Sequence, residues 1–264
     1  MKYKALTLIL VGIGILAALV LFIGPAKIEE AIKMADPWYL VLAFILQLLT
    51  YGLWTWRWSI NIQAVGLSVK NRHLFPMLLV GLAVNNITPS ARGGGEPVRG
   101  YILSKYTGSS FEKSFATVIA DRALDTIPFI VLAVTSIVAA ASYLNLPRYG
   151  LYSIIMAVVV LVAGFLVLLY MSFNLEFGRR VSRWITRVIK RFSRKEHSQL
   201  EEKAQKAIHG FQNSMRTMGR DKNVLIYGLG LSFLIWFLEI LRVYIIFAAF
   251  QVEVPLLVIA LVFI

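Results

Sequence analysis

Residues 85–99 carry most of the polar groups that could bind a ligand in a chain that is otherwise largely apolar. Three consecutive glycines and two prolines in this stretch are incompatible with a continuous helix. Pro97 suits the first position of a new helix, with Glu96 beside its positive end. Glycines allow close approach of the backbone to a ligand, amides near a helix start attract anions, and arginine binds phosphate bidentately. The stretch predicts a phosphate or lipid head-group site, with Arg92 and Arg99 as phosphate contacts.

Three further charges lie early in a later apolar segment. On a helix Asp121 and Asp125 share a face, and Arg122 can reach Asp125 at i,i+3. Charges inside a membrane-spanning segment are costly and normally face the protein interior. A structural ion pair and direct substrate contact both fit the charges at residues 121–125. For residues 85–99 the alternative to a binding site is a solvated cytoplasmic loop. The candidate substrate-binding residues are Asn85, Asn86, Pro89, Arg92, Gly94, Gly95, Glu96, Arg99, Asp121, Arg122 and Asp125.

Another charged pair, Glu239 and Arg242, has i,i+3 spacing within a later apolar segment, and we expect it to have a gating or structural role. No Ser-His-Asp set, P-loop or Gly-x-Ser-x-Gly elbow occurs. The chain has three scattered histidines and no cysteine, and Arg122 between the two aspartates argues against a cation site there. The sequence therefore predicts no catalytic residue, metal or cofactor.

The composition is that of an integral membrane protein. Hydrophobic residues make up 58% of the 264 residues and charged residues only 16%. A soluble domain is about half apolar and about a quarter charged. The net charge of +13 comes without a nucleic-acid-binding motif, so we expect no nucleic-acid partner. Excess Lys and Arg instead mark the cytoplasmic loops of membrane proteins.

The apolar segments predict an all-α polytopic membrane protein with one membrane domain over residues 1–264 and about five full transmembrane helices. A cleavable signal peptide is the alternative for the first apolar segment, although its apolar region usually has about 7–15 residues. The predicted spans are residues 5–24, 38–57, 115–144, 151–171 and 223–250.

Loop charges predict the topology. Residues 172–222 contain thirteen Lys and Arg against five Asp and Glu. If residues 74–88 crossed the membrane fully, this segment and residues 90–113 would lie outside, against the positive-inside rule. A re-entrant hairpin over residues 74–95, entering from the cytoplasmic side, keeps both segments and the N-terminus in the cytoplasm. Non-helical backbone at that depth must be buried in protein or line a wet cavity. The predicted location is the cell membrane.

A weak internal repeat accompanies this topology. Residues 76–84 resemble residues 255–262, and each follows a segment with Trp and Arg at helical spacing. The two units would run in opposite senses, as in the inverted repeats of transporters. Chance resemblance between apolar segments is the alternative. The repeat predicts that residues 255–264 begin a further membrane element and that the chain stops before a second re-entrant segment is complete.

Basic amphipathic helices are predicted on the cytoplasmic side over residues 178–218. Between residues 178 and 195 the apolar side chains share one face and basic side chains cover the rest, which suits an anionic leaflet. A topological anchor and a docking surface for a protein partner are both open interpretations. The second helix is marked by Leu200, Ala204, Ile208, Phe211, Met215 and Met218.

The polar motifs resemble those of a known family. The order Asn85-Asn86-x-x-Pro89-x-x-Arg92-x-Gly94-Gly95-Glu96-x-x-Arg99, then Asp121-Arg122-x-x-Asp125, resembles the flippase-like membrane proteins related to the transmembrane domain of lysylphosphatidylglycerol synthase. The resemblance extends from the first span to the Trp236–Arg242 segment. It implies several transmembrane helices with re-entrant elements, and the best understood members resemble flippases of an aminoacylated phospholipid. The soluble aminoacyl-transferase domain of the synthase is absent, so no synthase activity is implied.

Residues and resemblance together predict a lipid flippase or lipid-transport protein whose partners are anionic or phosphate-bearing membrane lipids. Glu96 would orient the head group or bind its amine, and the charges at 121–125 would form the facing wall. One alternative is a membrane enzyme of polyprenyl-phosphate or phospholipid metabolism, for which Glu96 and Asp121 are the candidate bases. A non-catalytic subunit of that metabolism, docking through the basic helices, is the other.

Overall fold

The computed structural model describes residues 18–88, 94–143, 148–174 and 198–262, together with residues 14, 176 and 180. Regular structure in these ranges is helical, which confirms the predicted all-α class. The helices are α1 (Pro25–Met34), α2 (Pro37–Ala64), α3 (Asn71–Ile87), α4 (Gly95–Thr107), α5 (Phe111–Leu124), α6 (Thr126–Tyr143), α7 (Arg148–Phe173), α8 (Ser198–Arg220), α9 (Leu229–Ala249) and α10 (Leu256–Val262).

Two of the described segments are long and apolar enough to cross a membrane. One is α2, and the other is Val224–Ala249, a π-helical turn at Val224–Gly228 that continues into α9. They coincide with two of the five predicted spans. The first part of α2 exposes large apolar side chains, among them Trp38, Phe44 and Ile45, as a lipid-facing surface would.

Helix α2 begins at a capped N-terminus, where the Asp36 side chain accepts a hydrogen bond from Trp38 N at 2.9 Å. The predicted span 38–57 lies within this helix, which continues past Arg57 to Ala64 and stops before Gly66, whose φ is +74°. Arg57 is 2% exposed. Because its charge is satisfied inside the protein, as described below, the helix does not end at the water interface there.

Helix α9 runs antiparallel to α2. Asp36 N donates to the carbonyl oxygen of Ala249 at 2.8 Å, so the start of α2 lies beside the end of α9. Further along, Arg57 Nη1 donates to Ser232 Oγ at 2.7 Å near the start of α9. The two apolar helices therefore face each other along most of their length.

Helices α3 and α4 form an antiparallel hairpin. The rings of His73 and Tyr106 lie 5.4 Å apart at the open end. At the other end the N–H of Gly95 donates to Asn85 Oδ1 at 2.6 Å. The start of α3 and the end of α4 are therefore neighbours, and the chain reverses between these helices.

The helix break predicted within residues 85–99 is confirmed, since α3 ends at Ile87 and α4 begins at Gly95. The new helix starts two residues earlier than predicted, which places Pro97 in its first turn instead of at its first position. Proline is tolerated there because the first-turn amides have no partner within the helix.

The span predicted over residues 115–144 is two helices, α5 and α6, which meet at Asp125. Asp125 N bonds the carbonyl of Arg122 at 3.2 Å, and α6 then restarts with Phe129 N on the carbonyl of Asp125 at 3.0 Å. Pro128 has no N–H to continue the ladder of α5, which accounts for the interruption. The junction places Asp125 at the end of α5, facing α2.

Helix α8 confirms the second amphipathic helix. Its Met215 and Met218 are buried against Ala116 and Ala120 of α5, so this part of its apolar face is covered by protein. The helix predicted over residues 178–195 and most of the first span, 5–24, lie outside the described residues.

The remaining helices only partly match the prediction. Helix α7 overlaps the span at 151–171. Helix α10 packs on α6 and α9, with Ile259 and Ala260 against Ile240. Pro76 lies inside α3, whereas Pro255 directly precedes α10, so the two similar segments hold their prolines at different helix positions. The inverted repeat stays a prediction.

Candidate binding site

A buried ion-pair cluster joins α2, α5 and α9. Arg57 Nε donates to Asp121 Oδ1 at 2.9 Å, and Nη2 donates to Asp125 Oδ2 at 3.0 Å. Its Nη1 binds both Asp125 Oδ1 and Ser232 Oγ. Sequence reasoning missed this role of Arg57. The available signal was the apolar sequence that continues past it, including Ile60 and Ile62, together with two aspartates in need of a cation.

Arg99 of α4 completes this cluster from the other side. Its Nη2 donates to Asp121 Oδ2 at 3.2 Å, and its guanidinium lies 4.2 Å from the centroid of the Trp58 ring. Trp58 in turn donates from Nε1 to Thr117 Oγ1 at 3.1 Å. Arg99 is 3% exposed and does not line the pocket described below. The predicted phosphate contact is therefore placed where it locks the hairpin to α2 and α5.

Glu96 and Arg122 form a second ion pair between α4 and α5. Arg122 donates to Glu96 Oε1 from Nε at 2.9 Å and from Nη2 at 2.7 Å. Asn85 Nδ2 donates to the same oxygen at 3.3 Å. The i,i+3 spacing lets Arg122 reach Asp125, but in the structure Arg57 holds Asp125 and Arg122 turns to Glu96. Glu96 Oε2 is buried and has no hydrogen-bond partner in the described part of the chain.

The glycines of the break allow α3 and α4 to touch. A Cβ added to Gly95 would lie 2.0 Å from the carbonyl oxygen of Gly81, and one added to Gly81 would lie 2.5 Å from Arg99 Cγ. At Gly94 an added Cβ would lie 2.6 Å from Thr88 Oγ1. Because the Gly95 N–H is used by Asn85, the predicted anion nest is not formed at that amide. Asn85 acts as a helix cap supplied from the neighbouring helix.

A pocket of about 500 Å³ lies between α2 and α9, at the tip of the hairpin. Its walls come from one face of α2, one face of α9, the end of α3 and the junction of α5 with α6. The lining residues are Gln47, Tyr51, Trp54, Leu82, Asn85, Asn86, Arg122, Asp125, Ile235, Trp236, Glu239, Arg242 and Val243.

Four charged side chains reach this pocket, two arginines and two carboxylates. Arg122 and Arg242 are 36% and 24% exposed, and Asp125 and Glu239 are 19% and 13% exposed. The predicted pair within α9 is confirmed, with Arg242 Nη2 2.5 Å from Glu239 Oε2. Two charges of each sign cancel, so the pocket is polar without a net charge.

Two side chains that line the pocket also carry buried donors. Within the described residues, Trp54 Nε1 and Arg242 Nε are buried and have no hydrogen-bond partner, although both side chains line the pocket. A phosphate oxygen can accept from such N–H groups, and a cationic group can pair with the carboxylates. Among the described residues no group of three or more His, Asp or Glu is placed to hold a metal ion.

The structure divides the predicted site residues into three sets. Asn85, Asn86, Arg122 and Asp125 line the pocket. Gly95, Glu96, Arg99 and Asp121 are buried beside it, and Gly94 stands at the start of α4. Pro89 and Arg92 lie outside the described residues.

Sequence reasoning missed the aromatic part of the lining. A tryptophan near the end of an apolar segment is typical of an interfacial belt, yet Trp54 lines the pocket with Tyr51 and Trp236. The signal was the spacing of Gln47, Tyr51 and Trp54, which places three hydrogen-bonding side chains on one face of α2.

These features define a helical membrane protein with a charged internal pocket. The chain belongs to the family described as the lysylphosphatidylglycerol synthase TM region, which matches residues 9–264. A UPF0104 membrane protein of Methanothermobacter thermautotrophicus is 53% identical over 264 residues, covering 100% of this chain and 78% of the relative. Another from that organism is 30% identical over 240 residues, 89% of this chain and 68% of the relative. No solved structure matches the chain.

Proposed function

We propose that this protein is a lipid flippase or lipid-transport protein that binds a phosphate-bearing head group in the pocket. The observation that carries the proposal is the exposure of Arg122 and Arg242 in a pocket between two helices long enough to cross a membrane. The family supports a lipid-related role, because its description names the membrane region of a synthase whose product is a phospholipid.

The pocket has the size and chemistry that such a ligand needs. Its volume of about 500 Å³ falls within the range of small-molecule sites, about 300–1,000 Å³. Arg122 offers a planar fork for phosphate oxygens, and Arg242 is the second cation that lines the pocket. Asp125 and Glu239 would face the part of the head group that carries hydroxyl or amine donors.

In the membrane we infer five full spans, with residues 74–95 as a re-entrant hairpin that enters from the cytoplasm. The neighbouring open ends of α3 and α4 support this arrangement, as does the positive charge of residues 172–222, which we place in the cytoplasm with the N-terminus. Among the described residues, four Arg and four Asp or Glu side chains of the buried cluster and the pocket are mutually paired, as the low dielectric of a membrane interior requires.

Transport would follow from local movement at the pocket edge, while Arg99 keeps the hairpin locked to α2 and α5. Arg122 and Glu96 connect α4 to α5 at the pocket edge, and this pair is more exposed than the pairs of Arg57. We expect it to open while the buried cluster stays intact, which would expose the head group to one side and then to the other.

We assign no general-base role to the two candidate carboxylates, Asp121 and Glu96. Asp121 is held between Arg57 and Arg99, and Glu96 is paired with Arg122. A general base must be able to accept the proton of a reacting group; Asp121, held by two cations, is poorly suited to that role, and Glu96 does not line the pocket.

Vesicle reconstitution tests the proposal. We expect purified protein to accelerate the movement of a fluorescent phosphatidylglycerol between leaflets, measured by quenching with a membrane-impermeant reductant. Arg122→Gln and Arg242→Gln should each lower this rate at least tenfold, since each removes a charge-assisted donor worth about 1.5–3 kcal/mol. Arg220→Gln, on the exposed end of α8, is the matched control.

Normal translocation by both pocket variants, in protein that melts at the wild-type temperature, would rule out the pocket as the head-group site. Phospholipid turnover by the purified protein would instead favour a membrane enzyme.

A further inference from the structure

We propose that Glu96 binds a proton when the pocket binds its anionic head group, so that the protein carries lipid and proton together. This inference rests on the proposed function and adds a second ligand to the same site. Glu96 is 9% exposed and accepts all its hydrogen bonds within the described residues through Oε1. Its second oxygen, Oε2, is buried and unpartnered there, so it is the vacant position at which a proton would be held.

Arg122 links this carboxyl group to the pocket. The arginine lines the pocket and is 36% exposed, whereas Glu96 does not line it. Both Nε and Nη2 of Arg122 are directed to one oxygen of Glu96, at 2.9 and 2.7 Å. A phosphate diester offers two anionic oxygens to the same fork, which is the stronger bidentate arrangement. An arriving head group therefore competes with Glu96 for Arg122.

Among the described residues the ion-pair partner of Glu96 is Arg122, while Arg99, one turn along α4, is held by Asp121 and the Trp58 ring. From α3 the neighbouring side chain is the uncharged Asn85. From α5 the charged neighbours are Arg122 and Asp121, and Asp121 is already bound by Arg57 of α2 and by Arg99 of α4. A buried carboxylate that loses its cation is left with an uncompensated charge, which is strongly unfavourable. Uptake of a proton removes that cost, because burial favours the neutral form of a carboxyl group.

The coupling has a definite sign. If the empty protein holds Glu96 ionised and the occupied protein holds it protonated, binding consumes a proton and weakens as the pH rises. The affinity then falls about tenfold for each pH unit over the range in which the two states differ by one proton. Release of the lipid releases the proton, so a proton gradient across the membrane would give lipid movement a direction.

Calorimetry on the full chain in detergent tests the inference. The probe is dihexanoyl phosphatidylglycerol, whose phosphate diester does not titrate near neutral pH. Titrations at one pH in buffers of different ionisation enthalpy give the number of protons taken up. We expect about one proton for each head group bound by the wild-type protein, and about none for Glu96→Gln, which keeps an oxygen for Arg122. Glu253→Gln, an exposed carboxyl group outside the pocket lining, should behave like the wild type.

The outcomes separate the two proposals. Wild-type binding without proton uptake, or uptake that persists in Glu96→Gln, would overturn proton coupling and leave the proposed function standing. No binding by the wild type would overturn the proposed function itself. The pH dependence of wild-type affinity gives a test that needs no folded variant. Dimethyl phosphate, which lacks acyl chains, should bind more weakly, and tighter binding than the lipid would assign the site to a free anion.

Discussion

Arg57 of α2 and Asp125 at the junction of α5 and α6 form a two-pronged ion pair between residues 68 positions apart. The same guanidinium binds Asp121, and Asp121 in turn binds Arg99 of α4. Two arginines and two aspartates thus neutralise one another at the centre of the bundle. Arg57 thereby fixes the position of α5, the helix that carries Arg122 to the pocket edge.

Removing Arg57 should therefore destabilise the protein more than removing any surface charge. In Arg57→Leu, Asp125 loses its ion-pair partner and Asp121 keeps only Arg99. We expect a loss of about 3–5 kcal/mol in the free energy of unfolding, the cost of leaving a buried charge uncompensated. Loss of helical circular dichroism on heating in detergent measures it.

The control for this experiment is Arg220→Leu, which changes the same residue type at the exposed end of α8 and should shift stability by less than about 1 kcal/mol. Equal melting temperatures for the two variants would contradict the structural role of Arg57.

The glycine break makes a second prediction about stability. Gly95→Ala would place a Cβ 2.0 Å from the carbonyl oxygen of Gly81, so the hairpin must open. We expect a cost of about 1–3 kcal/mol, as for overpacking of a close contact. Gly52→Ala is the matched control, because an added Cβ there has nothing within 4 Å and alanine favours the helix by about 0.5–1 kcal/mol. Equal stability of both variants would show that α3 and α4 do not touch at these glycines.

Sequence reasoning could locate the polar residues because charges and glycines stand out in an apolar chain. It found Glu96, Asp121 and Arg122, and it paired Glu239 with Arg242 correctly, since their partnership is local to one helix. It could not pair Arg57 with its aspartates, because that contact depends on how helices far apart in sequence are packed.

The same limit applies to the roles of individual residues. Arg99 has the residue type expected of a phosphate contact, yet the packing of α4 against Trp58 and Asp121 buries it. The glycines permit both anion binding and close helix approach, and only the position of Gly81 favours the second at Gly95. Composition alone does not distinguish apolar side chains that line the pocket from those that face lipid.

Cysteine labelling can test the membrane topology directly, because the chain contains no cysteine of its own. A membrane-impermeant maleimide added to intact cells should label Glu30→Cys, before the second span. Lys105→Cys, near the end of the hairpin, and Lys206→Cys, on α8, should react only after permeabilisation. All three positions are exposed. Labelling of Lys105→Cys in intact cells would mean that the segment 74–95 crosses the membrane.

The two arginines predicted to hold phosphate should behave differently when each is replaced by alanine. Arg99→Ala removes a cation from Asp121 and a partner from the Trp58 ring, so we expect a lower melting temperature and a loss of about 1–3 kcal/mol. Arg92, which lies outside the described residues, stays a predicted phosphate contact. Arg92→Ala should abolish head-group translocation in vesicles while melting like the wild type.

Comparing translocation and melting temperature for both variants separates a binding arginine from a structural one. Arg99→Lys supplies a further control, because it restores a charge for Asp121 and should recover part of the stability that Arg99→Ala loses. If Arg99→Ala melted like the wild type and lost translocation, Arg99 would contact the lipid directly and the position of α4 described above would not be that of the working protein. If Arg92→Ala transported normally, the head-group site would consist of the pocket residues alone, with Arg122 and Arg242 as its cations.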